Sequence, residues 1–324
     1  QAGEATTISS RGESQAAYRK TEMWLARASG VSFFYGVQVG DLGLTMGNGS
    51  AINGNVYSNG DIEGFAASKN TITGTAVAAT SHDIEKVRIT QDAYGNDLED
   101  CQVDGVAHYV SFISGCSAGA TVQESVGQPA GTFPITQQQI NDWKAEAEAG
   151  GTLSGYSIGN NSSESLGPKK VIGNLTIGNN SVLTLTGTVW VTGTITFGNS
   201  VIVQLDDAVY GSLSGVVVVD GAVTTGNTTI LQGTGQSGSY LMLLSTYSGV
   251  GNAIDIWNSA NSAIFYAPND VVSIKNTLVV REVTARGLDV GNGVVVSYEA
   301  GLANALFLIG PSGSKKVKRW REIP

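Results

Sequence analysis

Charged residues are scarce in this chain: Asp, Glu, Lys and Arg make up 14% of its 324 residues, against about 25% in an average soluble domain. The formal net charge is −9, and no basic face is concentrated enough to suit a nucleic-acid partner. The surface must therefore consist largely of Ser, Thr, Asn and Gly, which is typical of exported β-rich proteins. We expect an extracellular location.

Long apolar runs are also missing. No stretch approaches the roughly 18 residues that a membrane-spanning helix needs, and no signal-peptide pattern precedes Gln1. We expect membrane contact only through an N-terminal helix that lies outside this chain.

Histidine and cysteine occur twice each. His82 and His108 are too few for a His-rich metal site, and we expect His108 to lie on the surface or in a turn. No phosphate-binding loop, nucleophile elbow or zinc-protease motif is present. The sequence therefore predicts no cofactor, no metal and no catalytic residue.

Cys101 and Cys116 occupy similar turns one repeat apart. Neighbouring strands in a sheet are about 4.8 Å apart, and a disulfide requires Cα atoms about 4.4–6.8 Å apart. We predict a disulfide between them; the alternative is two buried free thiols.

What the chain has in quantity is a repeat in which an apolar or Thr residue and a spacer are followed by Asn and a turn. Seven Asn residues in the second half follow this pattern: Asn160, Asn179, Asn199, Asn227, Asn258, Asn276 and Asn292. Between them, apolar and polar residues alternate with period two, as at Leu175 and Ile177, which indicates half-buried strands.

Short strands joined by turns at such steps predict an all-β fold, specifically a right-handed parallel β-helix, which is a solenoid. Asn suits the turns because it tolerates left-handed backbone, and Asn side chains one coil apart can form a ladder. The longer steps predict insertions near residues 208–214 and 237–251, which are either binding loops or harmless insertions.

One segment has a helical pattern. Thr136 and Gln139 form a capping box, Ile140 and Trp143 share a helical face, and two glycines follow. We predict one short helix that packs across an end or a side of the solenoid and caps it.

These patterns divide the chain into five parts. They are an N-terminal strand or helix segment at 1–40, a first β-helical part with an irregular acidic insertion at 41–133, the amphipathic helix at 134–150, the main β-helix at 151–310, and a basic tail at 311–324.

An enzymatic alternative depends on acidic residues, because polysaccharide-cleaving β-helices need converging carboxylates. Asp206 and Asp207 are adjacent and Asp220 follows a strand, so the three could form a catalytic or Ca²⁺ cluster. Nothing else in the repeat region supports it. Trp190 and Trp257 are predicted to face outward, where they either stack on sugars or pack against a loop.

Several stretches resemble a known family. They are Phe33–Gly40, Asn53–Gly60, Trp143–Gly151, Leu166–Asn174, Thr184–Gly193, Gly233–Ser245 and Trp320–Ile323. Together they are similar to the PilX-type, pilin-like surface proteins of candidate-phyla bacteria. The resemblance implies a β-helical exodomain behind a pilin helix, surface exposure and a link to a type IV pilus-like assembly.

The expected function is a non-enzymatic structural or adhesive one, as a pilus-like subunit or pilus-associated protein. The alternative is a carbohydrate-binding or carbohydrate-cleaving β-helix protein. The expected partners are copies of itself or pilus subunits, and surface glycans.

Overall fold

The computed structural model describes residues 6–14, 17–258, 263–276, 279–308 and 314–323, and their side chains from residue 30 to residue 308. Strands dominate. In the first half they are β1 Thr6–Ser14, β2 Ala17–Val31, β3 Val37–Met46, β4 Ala51–Asn53, β5 Val56–Ser58, β6 Ile62–Gly64, β7 Thr71–Ile72, β8 Ala76–Ala78, β9 Ile84–Glu85, β10 Arg88–Ile89, β11 Ala93–Glu99, β12 Gln102–Ser114 and β13 Ser117–Gln123.

Helix α1, Gln137–Ala149, separates these from the second half. The second half contains β14 Thr152–Ile158, β15 Ser163–Leu166, β16 Lys169–Ile177, β17 Val182–Leu185, β18 Val189–Val191, β19 Ile195–Phe197, β20 Ile202–Leu205, the short helix α2 Asp207–Tyr210, β21 Gly215–Val219, β22 Val223–Thr224, β23 Ile230–Gln232, β24 Leu241–Ser245, β25 Ile254–Trp257, β26 Ile264–Lys275, β27 Val279–Val280, β28 Glu282–Val290, β29 Val295–Ser297, the 3₁₀ helix Ala300–Asn304, β30 Ala305–Leu308 and β31 Ser314–Ile323.

Most of these strands form a stack in which every described pairing is parallel. From β18 to β23 the chain contributes one strand to each of three columns in turn before it returns to the first. β21 pairs with β18, β22 with β19 and β23 with β20. Each circuit therefore adds one layer to all three columns.

The layers do not follow chain order. The stack begins at β14 and rises to β28, and the next layer is β3, from the beginning of the chain. It then continues to β13. We call residues 152–297 the C-terminal arm and residues 37–123 the N-terminal arm. Their junction is the pairing of β28 with β3 and of β29 with β4.

The core follows from the alternation in the sequence. One inward column contains Leu175, Ile195, Val223, Ile254, Val272, Leu288, Leu44, Ile62, Ile84, Leu98 and Ile113, each paired with the next. All of these residues are buried except Ile113, which lies in the last layers. Each such side chain contributes about 1.5–3 kcal/mol by leaving water, so the column alone stabilises the stack substantially.

An irregular acidic insertion was expected within residues 41–133, but residues 81–123 continue the stack. β9 pairs with β6, and β11 pairs with both β8 and β9. The acidic residues there occupy outward strand positions and corners, so they interrupt no layer.

Helix α1 has the predicted capping box: the Gln139 amide donates to Thr136 Oγ1 at 3.2 Å, and the Thr136 amide donates to Gln139 Oε1 at 2.9 Å. It does not lie across an end of the stack. Ile140 and Trp143 are buried against the outward side of β16, β18 and β21. Of the two expected placements, across an end or across a side, the structure shows the side, because the apolar face of the helix covers it.

The helix belongs to a longer segment, residues 124–150, which we call the strap. The strap runs back along one outward column from the last layer to the first. The column consists of Lys170, Trp190, Val218, Leu244, Tyr266, Thr284, Gln38, Tyr57, Val77, Tyr94, His108 and Val122.

Contacts with this column hold the strap along its length. Glu124 pairs with His108 at 2.7 Å, Gln38 Nε2 donates to the Thr132 carbonyl at 2.9 Å, and Tyr266 Oη donates to the Ile135 carbonyl at 3.2 Å. At the far end, Lys170 pairs with Glu148 at 2.8 Å. The strap thus crosses the junction and ties the two arms together.

A second, antiparallel sheet is formed by the two ends of the chain. β2 pairs with β1, β30 and β31. Residues 311–324 were expected to be a basic tail, but residues 314–323 form β31, because β2 offers them an edge. The apolar residues Val31, Phe33 and Phe307 pack with Trp143 and Val216 in a second core beneath the strap.

Glu282 lies in this second core with only 1% of its surface exposed. Its Oε1 accepts a hydrogen bond from Thr284 Oγ1 at 2.6 Å, and its Oε2 has no partner among the described residues. Burial raises the pKa of this carboxyl well above its ordinary value of 4.5. The folded protein therefore holds Glu282 in the neutral form.

We expect Glu282→Gln to change how stability depends on pH. Above about pH 4.5 the unfolded chain ionises Glu282 and the folded one does not, so the wild type loses about 1.4 kcal/mol per pH unit until the raised pKa is reached. Gln does not ionise. Urea unfolding from pH 4 to pH 8 should show that the free energy of unfolding of the variant increases relative to that of the wild type as pH rises. Parallel pH profiles of the two proteins would contradict this.

Candidate functional site

The seven Asn residues lie at turns of the C-terminal arm, and Asn160, Asn179, Asn199 and Asn227 form a ladder. Asn160 Oδ1 accepts the Asn179 amide at 2.7 Å, and Asn179 Oδ1 accepts the Asn199 amide at 2.7 Å. Asn199 Oδ1 accepts the Asn227 amide at 2.9 Å. Each side-chain oxygen thus accepts a hydrogen bond from a backbone amide of the next layer. Without that oxygen, the amide at the corner would have no such partner.

The ladder also crosses the junction. Asn292 Oδ1 accepts the Asn48 amide at 2.8 Å. Left-handed backbone is used one residue after the Asn in several corners, as at Asn161 (φ 55°) and Asn180 (φ 56°), whereas Asn258 and Asn276 adopt it themselves. The Asn side chain is therefore needed mainly as an acceptor, and the following residue makes the turn.

We expect Asn179→Ala to lower the free energy of unfolding by about 0.5–1.5 kcal/mol, because one exposed hydrogen bond to the next layer is lost. Asn179→Asp is the matched control, since it keeps the accepting oxygen. Chemical denaturation of both variants checks this. Equal losses in both would show that the acceptor is not what matters.

Asp has the same role in the N-terminal arm, which the sequence analysis missed. Asp61 Oδ1 accepts the Asp83 amide at 3.0 Å, Asp83 Oδ1 accepts the Asp97 amide at 3.0 Å, and Asp97 Oδ1 accepts the Phe112 amide at 3.2 Å. The signal was present as the repeats Asp61-Ile-Glu63, Asp83-Ile-Glu85 and Asp97-Leu-Glu99. The acidic composition of this arm is therefore explained by its corners.

Cys101 and Cys116 form a disulfide, and their Cα atoms are 4.3 Å apart. They lie at the start of the last two layers, since β12 begins at Gln102 and β13 at Ser117. Cys101 is buried. The bond joins the terminal layer to the layer before it, where a strand has a neighbour on one side only.

The three acidic residues of the catalytic alternative do not come together in a site. Asp206 is the N-cap of α2, and its Oδ1 accepts the Val209 amide at 3.0 Å. Asp220 binds Lys144 Nζ at 2.6 Å and Trp190 Nε1 at 2.9 Å, and thereby fastens α1 to the stack. Within the described ranges, no group of three or more His, Cys, Asp or Glu side chains is arranged to hold a metal ion.

Each histidine contacts a carboxylate of another layer or of the strap. His82 Nδ1 is 2.8 Å from Asp61 Oδ1. His108 is half-buried in β12 and stacks on Tyr94, with ring centroids 4.2 Å apart. His108 is therefore not the surface or turn residue that was expected, because it belongs to the column under the strap.

The two outward tryptophans differ in environment. Trp190 is half-buried, and Lys170 Nζ lies 4.1 Å from its ring centroid, so it packs beneath the strap. Trp257 is 40% exposed, with Lys275 Nζ 4.3 Å from its ring centroid. Only Trp257 keeps a face that a sugar could reach.

A groove lies at the junction of the arms, and its volume is about 830 Å³. Arg286 of β28 and Asp41 of β3 form its floor with a two-pronged ion pair, in which Nε–Oδ1 and Nη2–Oδ2 are both 2.8 Å. The hydrogen bonds from Arg286 hold the pKa of Asp41 below its ordinary value. The insertion near residues 237–251 contributes Ser248 to one wall.

Comparisons with known proteins give little further guidance. No family model matches the chain, and no curated protein matches it. Among solved structures, the competence-associated pilin ComZ from Thermus thermophilus aligns over 98% of this chain and 80% of its own, with 10% identity and a TM-score of 0.25. A score that low establishes no common fold. No helix in the described residues has the length and hydrophobicity needed to cross a bilayer.

Proposed function

We propose that this chain is an extracellular structural or adhesive protein, displayed as a subunit of a type IV pilus-like assembly or attached to one. The observation that carries the proposal is the way the stack is connected to the sheet formed by both chain ends. The chain enters and leaves the stack in the layers where β28 meets β3, and β30 also pairs with Ser214 of the C-terminal arm. This arrangement presents long side faces of both arms to the surroundings.

We also propose that the stack is a right-handed parallel β-helix. Consecutive strands enter three columns in turn, and residues one circuit apart pair in parallel. A coil with three sides accounts for both facts. The Asn and Asp ladders support it, because each joins equivalent corners of successive coils.

The surface chemistry supports a role outside the cell. A disulfide persists in oxidising compartments and is rare in the cytosol, and this chain has one at the end of its N-terminal arm. The outward column begins with the hydroxyl residues Ser157, Thr176, Thr196 and Thr224, and continues with Asp255 and Ser273. Hydroxyl-rich faces of this kind suit hydrogen bonding to surface glycans or to another subunit.

We further propose that the protein is not an enzyme. Asp206 caps a helix and Asp220 fastens another one, so the acidic residues that catalysis would require have structural partners. The double variant Asp206→Ala, Asp207→Ala should therefore leave binding to cells or glycans unchanged. Loss of a measurable polysaccharide-cleaving activity in that variant would overturn this part.

Immunogold electron microscopy of native cells tests the display. Antibody against this chain should label intact cells, on the surface or along filaments, with no further increase after permeabilisation. Labelling that appears only after permeabilisation would contradict the proposal. A deletion strain provides the control for antibody specificity.

A further inference from the structure

The groove at the junction has walls that are fixed in place. On one side, the strap is held by Asn59, whose Nδ2 donates to the Gly131 carbonyl at 2.8 Å and whose Oδ1 accepts the Gly131 amide at 2.7 Å. On the other side, Asn269 Nδ2 donates to the Thr246 carbonyl at 3.0 Å. Tyr247 Oη donates to the Val250 carbonyl at 3.0 Å. A ligand would therefore meet a preformed site.

The groove offers polar atoms that the protein leaves unused. Asp41 engages Nε and Nη2 of Arg286, and within the described part of the chain Nη1 has no partner. Asn269 Oδ1 and Ser248 Oγ are likewise without protein partners there. The residues that carry this donor, this acceptor and this hydroxyl all line the same groove.

Apolar surface lies among these polar atoms. Phe133, Pro268 and Ala130 line the groove. The Phe133 ring is fixed by an edge contact with Tyr266, with centroids 6.2 Å apart. Alternation of hydrogen-bonding atoms with aliphatic and aromatic surface matches a pyranose, which has hydroxyls at its rim and C–H groups on its faces.

Charge selects among the possible sugars. Asp41 neutralises Arg286, and Asp270 adds a further negative charge near the guanidinium. The chain as a whole carries −9. Acidic sugars would be repelled, and small inorganic anions would gain little from a paired guanidinium. Pockets of about 300–1,000 Å³ hold small ligands, and this one has room for a disaccharide.

We propose that the junction groove binds a neutral oligosaccharide through Arg286 Nη1, Asn269, Ser248 and the face of Phe133. This deepens the adhesive role proposed above and rests on it. Neither arm alone contains the site, because the ion pair at its floor joins β28 to β3.

Saturation-transfer NMR and titration calorimetry on the purified chain test this, with cellobiose, maltose, lactose and diacetylchitobiose as probes and digalacturonate as the charged comparison. We expect saturable binding of at least one neutral disaccharide. Its Kd should change less than about twofold between low and high salt, because no net charge is neutralised.

Two variants locate the site. Ser248→Tyr fills the groove from an exposed loop and should raise the Kd at least about tenfold. Arg286→Lys keeps a charge beside Asp41 but removes Nη1, the nitrogen proposed to bind the sugar. It should raise the Kd about 2- to 10-fold, the range for one hydrogen bond. Phe65→Ala is the matched control, since this exposed aromatic residue is not among those that line the groove, and should leave the Kd unchanged.

Absence of saturable binding to every neutral probe, binding of digalacturonate alone, or an unchanged Kd in Ser248→Tyr would each overturn the proposal. These results are separate from those on display. Surface labelling of intact cells without sugar binding would reject the groove as a glycan site and leave the displayed role standing.

Discussion

Trp143→Ala is expected to lower the free energy of unfolding by about 3–5 kcal/mol, the usual range for removing a large buried aromatic side chain. Trp143 has no exposed surface, and its ring meets Phe307 edge-on with centroids 5.7 Å apart. It is the contact through which α1, the outward face of the C-terminal arm and the terminal sheet share one core.

Urea unfolding measures this loss, and limited proteolysis shows where it acts. The variant should be cut within the strap under conditions in which the wild type is intact. Gln138→Ala, at an exposed position of the same helix, is the control and should change stability by no more than about 0.5 kcal/mol. A loss below about 1 kcal/mol in Trp143→Ala, well under the range for a buried aromatic residue, would show that the helix is not docked as described.

Replacing both cysteines by serine is expected to cost about 2–4 kcal/mol. The disulfide joins residues 15 apart in the chain, and a loop of that size contributes about 3 kcal/mol by restricting the unfolded chain. The loss should be concentrated in the last layers, because β13 pairs only with β12 among the described strands.

Hydrogen exchange resolves that distribution. Amides in β12 and β13 should exchange faster in the double variant, while amides in β18 and β21 keep their protection. Intact mass under non-reducing conditions provides the chemical check, because the oxidised chain is about 2 Da lighter than the reduced one. Readily alkylated thiols in the native wild-type protein would contradict the premise.

Features that depend on neighbouring residues or on the next layer were predictable. The inward alternation at Leu175 and Ile177 needs only the strand itself. The capping box at Thr136 and Gln139 needs one helical turn. The disulfide needed only the spacing of two cysteines against the distance between layers.

The order of the arms was not predictable in the same way. The step from β28 to β3 joins residues that are far apart in the chain, such as Arg286 and Asp41, and repeat spacing does not show which layers meet. The groove depends on this junction, so its floor could not be assembled from sequence alone. The repeat pattern indicated only one of its walls, as an insertion near residues 237–251.

The course of residues 124–136 and strand β31 were not predicted, for a related reason. Residues 124–136 have no period because the strap is held largely through carbonyl groups, as at Thr132 and Ile135, which every residue possesses. β31 resembled a solvated basic run because its partner, β2, lies at the opposite end of the chain. Pairing with a distant edge decided its conformation.

The chain enters the stack at β3 and leaves it after β29, and these strands lie in adjoining layers. Insertion or loss of whole coils at the far ends of the two arms would therefore leave the two connections to the terminal sheet unchanged in position. Either arm could lengthen or shorten during evolution provided that the strap changed with it, since residues 124–150 must span the distance between the two ends. Related proteins with arms of different length should accordingly show a matching difference in the length of this one segment.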